Sequence, residues 1–342
     1  MQDIWKYLQN TDKPIIIYGM GNGADKIISE LEKLGISVYG ITASDGFVRG
    51  QTFHGFTVKK LSDFPKNSII LTAFGSQRED VIRHILDLSQ QYTVLAPDVP
   101  VYGDNIFNKS FYLEHKDKIH QVYSILSDDL SKKVLANVLR FKLTGKLQYL
   151  TEIFTDKDEI FKILDLGKNE SYLDLGAYRG DTVQEFLHYT NGHYQHITAL
   201  EPDKKTFRKL KEYAGNFPNT QLWNMGIWDS DGYVDFEDST GRGSSVQTTG
   251  SQKIAVTKID TLYQIQRVSY IKIDVEGAEK QALTGGISTL KRDKPKLDLA
   301  LYHRSEDIFT LPLLVHEIDP DYKIYLRQHP HIPAWDFNLY AI

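Results

Sequence analysis

A chain of 342 residues is longer than one ordinary domain, and 41% hydrophobic with 25% charged residues is the balance of a soluble globular protein. The formal net charge of −5 argues against recognition of nucleic acid through a basic surface, while leaving room for a local basic patch. The chain has no cysteine, which excludes disulfides, thiolate zinc sites, iron–sulfur clusters and cysteine nucleophiles.

In chain order, the first ten residues lack the basic-then-apolar order of a secretory signal. No later run approaches the roughly 20 apolar residues a membrane helix needs. A cytoplasmic protein with no membrane partner is the expectation. Pro14-Ile-Ile-Ile-Tyr18 reads as a strand entering the glycine-rich turn Gly19-Met-Gly-Asn-Gly-Ala24. A helix from about Asn22 to Leu34 follows, carrying Ile27, Ile28, Leu31 and Leu34 at helical spacing. Strands are expected at Ser37 to Thr42, Ser68 to Phe74 and Tyr92 to Leu95, with a helix near Arg78 to Gln91. Pro97, Pro100 and Gly103 punctuate the end of this unit. From about Leu113 to Leu166 the pattern is helical, either a connector packed partly on the next unit or a plain linker.

The same grammar then restarts. Tyr172-Leu-Asp-Leu175 is a strand, and Gly176-Ala-Tyr-Arg-Gly-Asp-Thr182 is its glycine turn. A strand at His196 to Leu200, a helix at Lys204 to Tyr213 and a strand at Thr220 to Met225 follow. Gly232 to Phe236 and Lys253 to Thr257 read as a strand pair framing a Gly/Ser-rich loop, Ser239 to Ser251. A core strand at Ser269 to Asp274, a helix at Gly277 to Thr284 and a strand at Pro295 to Tyr302 come next. The final strands, Tyr322 to Gln328 and Asp336 to Ile342, have no helical crossover between them, so an antiparallel hairpin is expected. The expected domains are 1–110, a Rossmann-like unit; 111–168, a helical connector; and 169–342, a second Rossmann-like unit.

The chemistry concentrates at the carboxyl ends of the second unit's strands, where a glycine turn lets backbone approach a ligand. Asp174 and Asp181 flank that turn, which disfavours a polyphosphate and suits a cation; a simple tight turn is the bland reading. Glu201, 27 residues after Asp174, stands where a carboxylate accepts both hydroxyls of an adenosine ribose, or else is a solvated strand-end charge. At the third strand end Gly226, Ile227 and Trp228 offer apolar walls for an adenine, or simply core. The fourth strand ends Lys272-Ile-Asp274-Val-Glu276-Gly-Ala-Glu279, with Glu279 favourably placed for a helix dipole.

Asp174-Leu-Gly-Ala-Tyr-Arg-Gly-Asp-Thr182, Leu200-Glu-Pro-Asp203, Lys272 to Glu279, Leu301-Tyr-His-Arg304 and Leu339-Tyr-Ala-Ile342 together resemble the FkbM family of methyltransferases, over roughly residues 170 to 342. The run Lys272 to Glu279 is the specific part of that resemblance. The resemblance implies a seven-stranded Rossmann-like methyltransferase sheet with an antiparallel terminal hairpin, S-adenosylmethionine as cofactor, and methylation of hydroxyl groups on sugars and similar small molecules. The cofactor-binding candidates are then Asp174, Gly176, Ala177, Tyr178, Gly180, Asp181, Thr182, Glu201, Pro202, Gly226, Ile227 and Trp228.

Methyl transfer from a sulfonium is an in-line displacement that needs alignment above all, and a hydroxyl acceptor gains from a nearby base. Asp274 and His303 are the candidates for that base. Alternatively Asp274, with Glu276, holds a divalent cation that acidifies the acceptor, although no dedicated metal motif is evident. Arg304 and Arg242 can hold an anionic acceptor, and Gly241 to Ser245 can form a lid. Both arginines also read as ordinary surface charges.

In the first unit, Gly19-Met-Gly-Asn-Gly-Ala24 fits a dinucleotide fingerprint, with Asp45 after the next strand. It reads either as a nucleotide or nucleotide-sugar site or as a scaffold for packing or homodimerisation. An NAD(P)-dependent oxidoreductase is the alternative function, opposed by the lack of a hydride-transfer constellation such as Tyr-x-x-x-Lys. A non-catalytic nucleotide-binding scaffold is the third reading.

Overall fold

Asp3 starts the first helix, α1 (Ile4–Gln9): its carboxylate accepts from the amides of Trp5 and Lys6, and the helix buries Ile4, Trp5 and Leu8. The computed structural model describes residues 2–236, 252–264 and 266–342. β1 (Ile15–Tyr18) is apolar throughout because both of its faces are covered. α2 (Asn22–Lys33) lays Ala24, Ile27, Ile28 and Leu31 on the sheet. β2 (Gly40–Thr42) is shorter than its sequence suggests, since only these residues of the stretch pair with β1. A small hairpin, β3 (Thr52–Phe53) and β4 (Phe56–Thr57), turns at His54 and Gly55, both at positive φ, which matches the twist of a two-residue turn. β5 (Ile69–Thr72), α3 (Glu79–Leu88) and β6 (Thr93–Leu95) complete a four-stranded parallel sheet in the order β2-β1-β5-β6.

Four helices follow: α4 (Lys109–Ile125), α5 (Asp129–Thr144), α6 (Gln148–Thr151) and α7 (Lys157–Leu164). Asn108, Asp128 and Asp156 cap three of them by accepting first-turn amides. The apolar core under Ile16, Tyr18 and Ile70 continues through Val134, Val138 and Phe141 to Ile271, Leu299 and Leu326. A buried ion pair, Lys142 to Asp98 at 2.8 Å, fastens α5 to the segment leaving β6.

The second sheet is built from β7 (Ser171–Leu175), α8 (Asp181–Tyr189), β8 (His196–Leu200), α9 (Lys204–Ala214) and β9 (Thr220–Trp223). The expected strand Thr220 to Met225 stops at Trp223, and a separate short strand, β10 (Gly226–Ile227), follows outside the main sheet, parallel to β12 (Gln252–Thr257). β11 (Gly232–Phe236) and β12 (Gln252–Thr257) are antiparallel, as expected for a pair framing a loop. The lid segment Gly241 to Ser245 and Arg242 lie outside the described residues.

Then come α10 (Ile259–Leu262), β13 (Tyr270–Ile273), α11 (Glu279–Thr284), α12 (Ile287–Asp293), β14 (Lys296–Ala300), α13 (Asp307–Ile318), β15 (Ile324–Gln328) and β16 (Phe337–Ala341). The strand order is β15-β16-β14-β13-β7-β8-β9, with β16 antiparallel to both neighbours, so the molecule is α/β with the expected mixed seven-stranded sheet and terminal hairpin. Arg327 on β15 is fully buried, with its guanidinium 2.7 Å from both Asp128 and Glu159, and so ties the sheet edge to α5 and α7. Among the described residues no helix is long and apolar enough to cross a membrane.

Candidate functional site

β7 delivers Asp174 into a fully buried position, and the chain turns immediately at Gly176, whose φ is +84°. A Cβ at Gly176 would collide with the carbonyl oxygen of Asp274, so only glycine lets the end of β13 pass this close. The amides of Gly176 and Ala177 both donate to the Leu200 carbonyl at the end of β8, at 3.1 and 3.0 Å. Tyr178 sits at positive φ, and Gly180, with φ +94°, precedes α8 where a Cβ would strike the Tyr213 ring. Asp181 opens α8, and Thr182 donates from Oγ1 to Asp174 Oδ2 at 2.5 Å. Burial pushes the Asp174 carboxyl up to about 7, with the Thr182 bond and the charge of Lys272 pulling against it.

Glu201, just past β8, is 7% exposed and accepts from the amides of Tyr178 at 3.0 Å and Asp203 at 2.8 Å. Burial pushes its carboxyl up to about 7 as well. Asn224 steadies this corner by donating to the carbonyls of Glu201 and Pro202 at 2.9 and 3.0 Å. A Cβ on Gly226 would stand 4.0 Å from Pro202, so β10 borders the same rim. Ile227 is buried in the main core and Trp228 is half-buried. Gly226 and Ile227, expected at the end of the third sheet strand, lie in the small sheet beside it, and Trp228 follows them.

Asp274 follows β13, which runs between β7 and β14. The register pairs Lys272 with Asp174 on one side and with Asp298 on the other, so the three charges form one row on one face of the sheet. Lys272 Nζ is also 3.6 Å from Asp274 Oδ2. Against its burial, Asp298, Asp274 and Asp174 hold the Lys272 ammonium above its usual range. Although burial opposes it, Asp274 is held below the usual carboxylate range by Lys272 and His303, with help from the Tyr302 hydroxyl, which donates at 3.1 Å.

His303 is completely buried. Its Nδ1 lies 2.8 Å from Glu279 Oε1, and its Nε2 lies 3.4 Å from both Asp274 Oδ1 and Glu276 Oε2. Against desolvation, Glu279 and Glu276 hold the imidazole well above its ordinary value. Glu276, at positive φ, keeps its side chain largely in solvent. Glu279 opens α11, where it was expected to meet the helix dipole, and it is also buried and accepts from the Val275 and Gly277 amides at 2.9 and 3.3 Å, folding the turn around His303.

The first unit reaches this site. Tyr102, in the segment leaving β6, donates its amide to the His303 carbonyl at 2.8 Å. A Cβ on Gly277 would come within 2.9 Å of Tyr102, and the Arg304 guanidinium sits 4.6 Å over the same ring. Arg304 also donates from Nε to the Gly277 carbonyl at 2.9 Å, which fixes its guanidinium over that ring. Lys26 of α2 donates to the carbonyls of Pro100 and Val101, each at 2.7 Å, which fixes the segment carrying Tyr102. Ser76 after β5 exchanges two backbone hydrogen bonds with Ile332, in the loop between β15 and β16. The carboxyl edges of the two sheets therefore meet. In the glycine turn of the first sheet a Cβ on Gly23 would press on the Ala73 carbonyl, whereas Gly21 faces open space.

The structure thus brings Asp174, Gly176, Ala177, Tyr178, Gly180, Asp181, Thr182, Glu201 and Pro202 to one strand-end corner, and Asp274, Glu276 and His303 to the next. Lys272, Tyr302 and Tyr102 are additions that sequence reasoning did not single out. Lys272 had a signal: it interrupts an apolar strand between two strands of Leu-Asp-Leu.

Residues 174–335 match the family described as the methyltransferase FkbM domain. The chain is similar in fold to the methyltransferase FkbM of Methylobacillus flagellatus KT, with a TM-score of 0.75 and 20% identity over 96% of this chain and 90% of that one. It is 23% identical over 146 residues to the 2-O-methyltransferase NoeI of Sinorhizobium fredii, covering 36% of this chain and 59% of that protein. It is 31% identical over 102 residues to the hexuronic acid methyltransferase AglP of Haloferax volcanii, covering 28% of this chain and 43% of that protein. The chain thus spans about half the length of these two curated relatives.

Proposed function

We propose, from the match of residues 174–335 to the methyltransferase FkbM domain, that the chain is an S-adenosylmethionine-dependent methyltransferase acting on a hydroxyl of a sugar, nucleotide-sugar or similar small molecule. The observation that carries the reading is the pairing of two strand-end corners around Gly176: a buried, glycine-lined one with Asp174 and Glu201, and an acidic one with Asp274 and His303.

The cofactor reading rests on complementarity. Asp174, with Asp181 nearby, offers negative potential to an ammonium or sulfonium. Glu201 has its backbone-bound oxygens oriented at the end of β8, where a carboxylate accepts ribose hydroxyls. The resident cofactor supplies an electrophilic methyl group. This chain's residues would orient it and receive the acceptor's proton.

Asp274 is the ionised group at the second corner, with Tyr302 and Lys272 fixing its carboxylate. It accepts the acceptor's hydroxyl proton as the oxygen attacks. Glu279 and Glu276 raise the His303 imidazole against its desolvation and so favour its protonated form, which suits it to orienting Asp274 rather than to serving as the first base. The sugar-type acceptor is suggested by what the two curated relatives are named for, 2-O-methylation and hexuronic acid methylation.

The test is to incubate the purified chain with S-adenosylmethionine and a panel of hexoses, uronic acids and their nucleotide conjugates, following S-adenosylhomocysteine. Turnover with at least one member, abolished in Asp274→Ala, is expected. Full turnover in Asp274→Ala removes Asp274 from the proton-accepting role.

A further inference from the structure

Helix α9 carries Lys204, Lys205, Arg208, Lys209 and Lys211 against a single acid, Glu212, in a chain whose net charge is −5. All five cations are exposed, and among the described residues none has an ion-pair partner. At about 3.6 residues per turn, Lys204, Arg208 and Lys211 fall in one row and Lys205 and Lys209 in a second beside it, over about 10 Å of helix. The opposite side is occupied: Phe207, Leu210 and Ala214 pack with the core of the second sheet. Helix stability does not account for the pattern. Like charges four residues apart weaken a helix, and Lys204 and Lys205 stand in the first turn, where the dipole disfavours cations. The helix starts at Asp203, two residues after Glu201, so the strip begins at the first corner of the site. Tyr213, one turn after Lys209, is 38% exposed, and its ring lies against Gly180 of the same corner.

We propose that the outer face of α9 docks a short anionic glycan, its cations meeting the carboxylates and Tyr213 stacking on a sugar ring. The choice of a glycan rests on the sugar-acceptor reading, whereas the choice of an anion rests on the charges alone. A linear chain with a carboxylate on each ring presents its charges in a row, as the strip presents its cations. A lipid surface fits less well, because the apolar side of α9 is already buried and nothing is left to enter the layer. Nucleic acid also fits less well. Four of the five cations are lysines, which lack the bidentate fork suited to phosphates and base edges. A long polyanion would further be repelled by the net negative remainder of the chain, whereas a short one stays within the strip.

The test titrates the full chain by calorimetry with hexagalacturonate, and with maltohexaose as the neutral control, at low salt and at about 0.5 M NaCl. Saturable binding of hexagalacturonate alone is expected, at least about tenfold weaker in the added salt and in the double variant Lys205→Glu, Lys209→Glu. Tyr213→Leu should weaken it several-fold. Both lysines are exposed, so the double variant should keep its S-adenosylmethionine affinity within about twofold of wild type. Absence of hexagalacturonate binding overturns the assignment, as does binding that charge reversal leaves unmoved. Tighter binding of oligodeoxythymidylate or of phosphatidylglycerol vesicles also overturns it, since the strip would then serve another class of polyanion. S-adenosylmethionine titrated into the same preparations separates the two readings: cofactor bound without hexagalacturonate sinks only the strip, and the converse sinks only the methyl-transfer reading.

Discussion

Two buried carboxyls, Asp174 and Glu201, are each pushed up to about 7, so near neutral pH each is a mixture of protonated and ionised forms. A ligand that brings positive charge and hydroxyl donors selects the ionised forms and expels protons. Affinity for S-adenosylmethionine should therefore rise as pH increases from about 6 to about 8 and level off above, with proton release seen as a buffer-dependent heat. A flat profile would mean that these carboxyls do not meet the ligand. Gly176 makes a steric prediction. Gly176→Ala puts a methyl group into the Asp274 carbonyl at positive φ, and should lower unfolding free energy by about 3 kcal/mol or more in a denaturant titration. Most residues at this corner were legible in the sequence, because a strand, a glycine turn and a strand-end acid follow one another locally. The Glu279–His303 contact was not, since it joins a helix start to a strand end and depends on how the turn after β13 folds.

At the scale of elements, the row Asp174–Lys272–Asp298 crosses three adjacent strands and is the electrostatic keystone of the sheet. Lys272→Met would leave three carboxylates without their shared cation. We expect a loss of about 3–5 kcal/mol in unfolding free energy. In whatever activity survives, the pH dependence assigned to Asp274 should move upward, because Lys272 is one of the groups that hold that carboxyl down. An unchanged stability and pH profile would show the row to be incidental.

The central strands were legible because burial on both faces demands continuous apolar runs. α13 was missed: Pro312 lies inside it, and proline in a helix interior ordinarily argues for a break. α1 was missed because six residues carry too little periodicity, although Asp3 with two amides to cap was there to be read. The division of β9 from β10 depends on which sheet each fragment joins, and no local propensity decides that.

At the scale of the molecule, the first sheet supplies more than bulk. Its outgoing segment carries Tyr102 onto Gly277 and beneath Arg304, and Ser76 joins the loop at Ile332, so the acidic corner is walled partly by residues from the first unit. Tyr102 keeps about half of its surface exposed, 49%, beside a corner that would receive the acceptor. Tyr102→Ala should leave S-adenosylmethionine affinity within about twofold while raising the acceptor's KM roughly tenfold, the worth of about 1.4 kcal/mol of contact. Equal losses for both ligands would instead mark a general collapse of the corner. None of this convergence was legible in the sequence. Tyr102 and Gly277 are distant along the chain, and nothing in their local patterns encodes the meeting.

The most direct measurement is calorimetric titration of S-adenosylmethionine into the wild-type chain and into Glu201→Ala, with NAD titrated in parallel. The account predicts micromolar binding of S-adenosylmethionine to the wild type, at least about tenfold weaker in Glu201→Ala, and no comparable binding of NAD. Wild-type protein that ignores S-adenosylmethionine and binds NAD would contradict it, and would move the working site from Gly176 and Glu201 to Gly19 and Gly21.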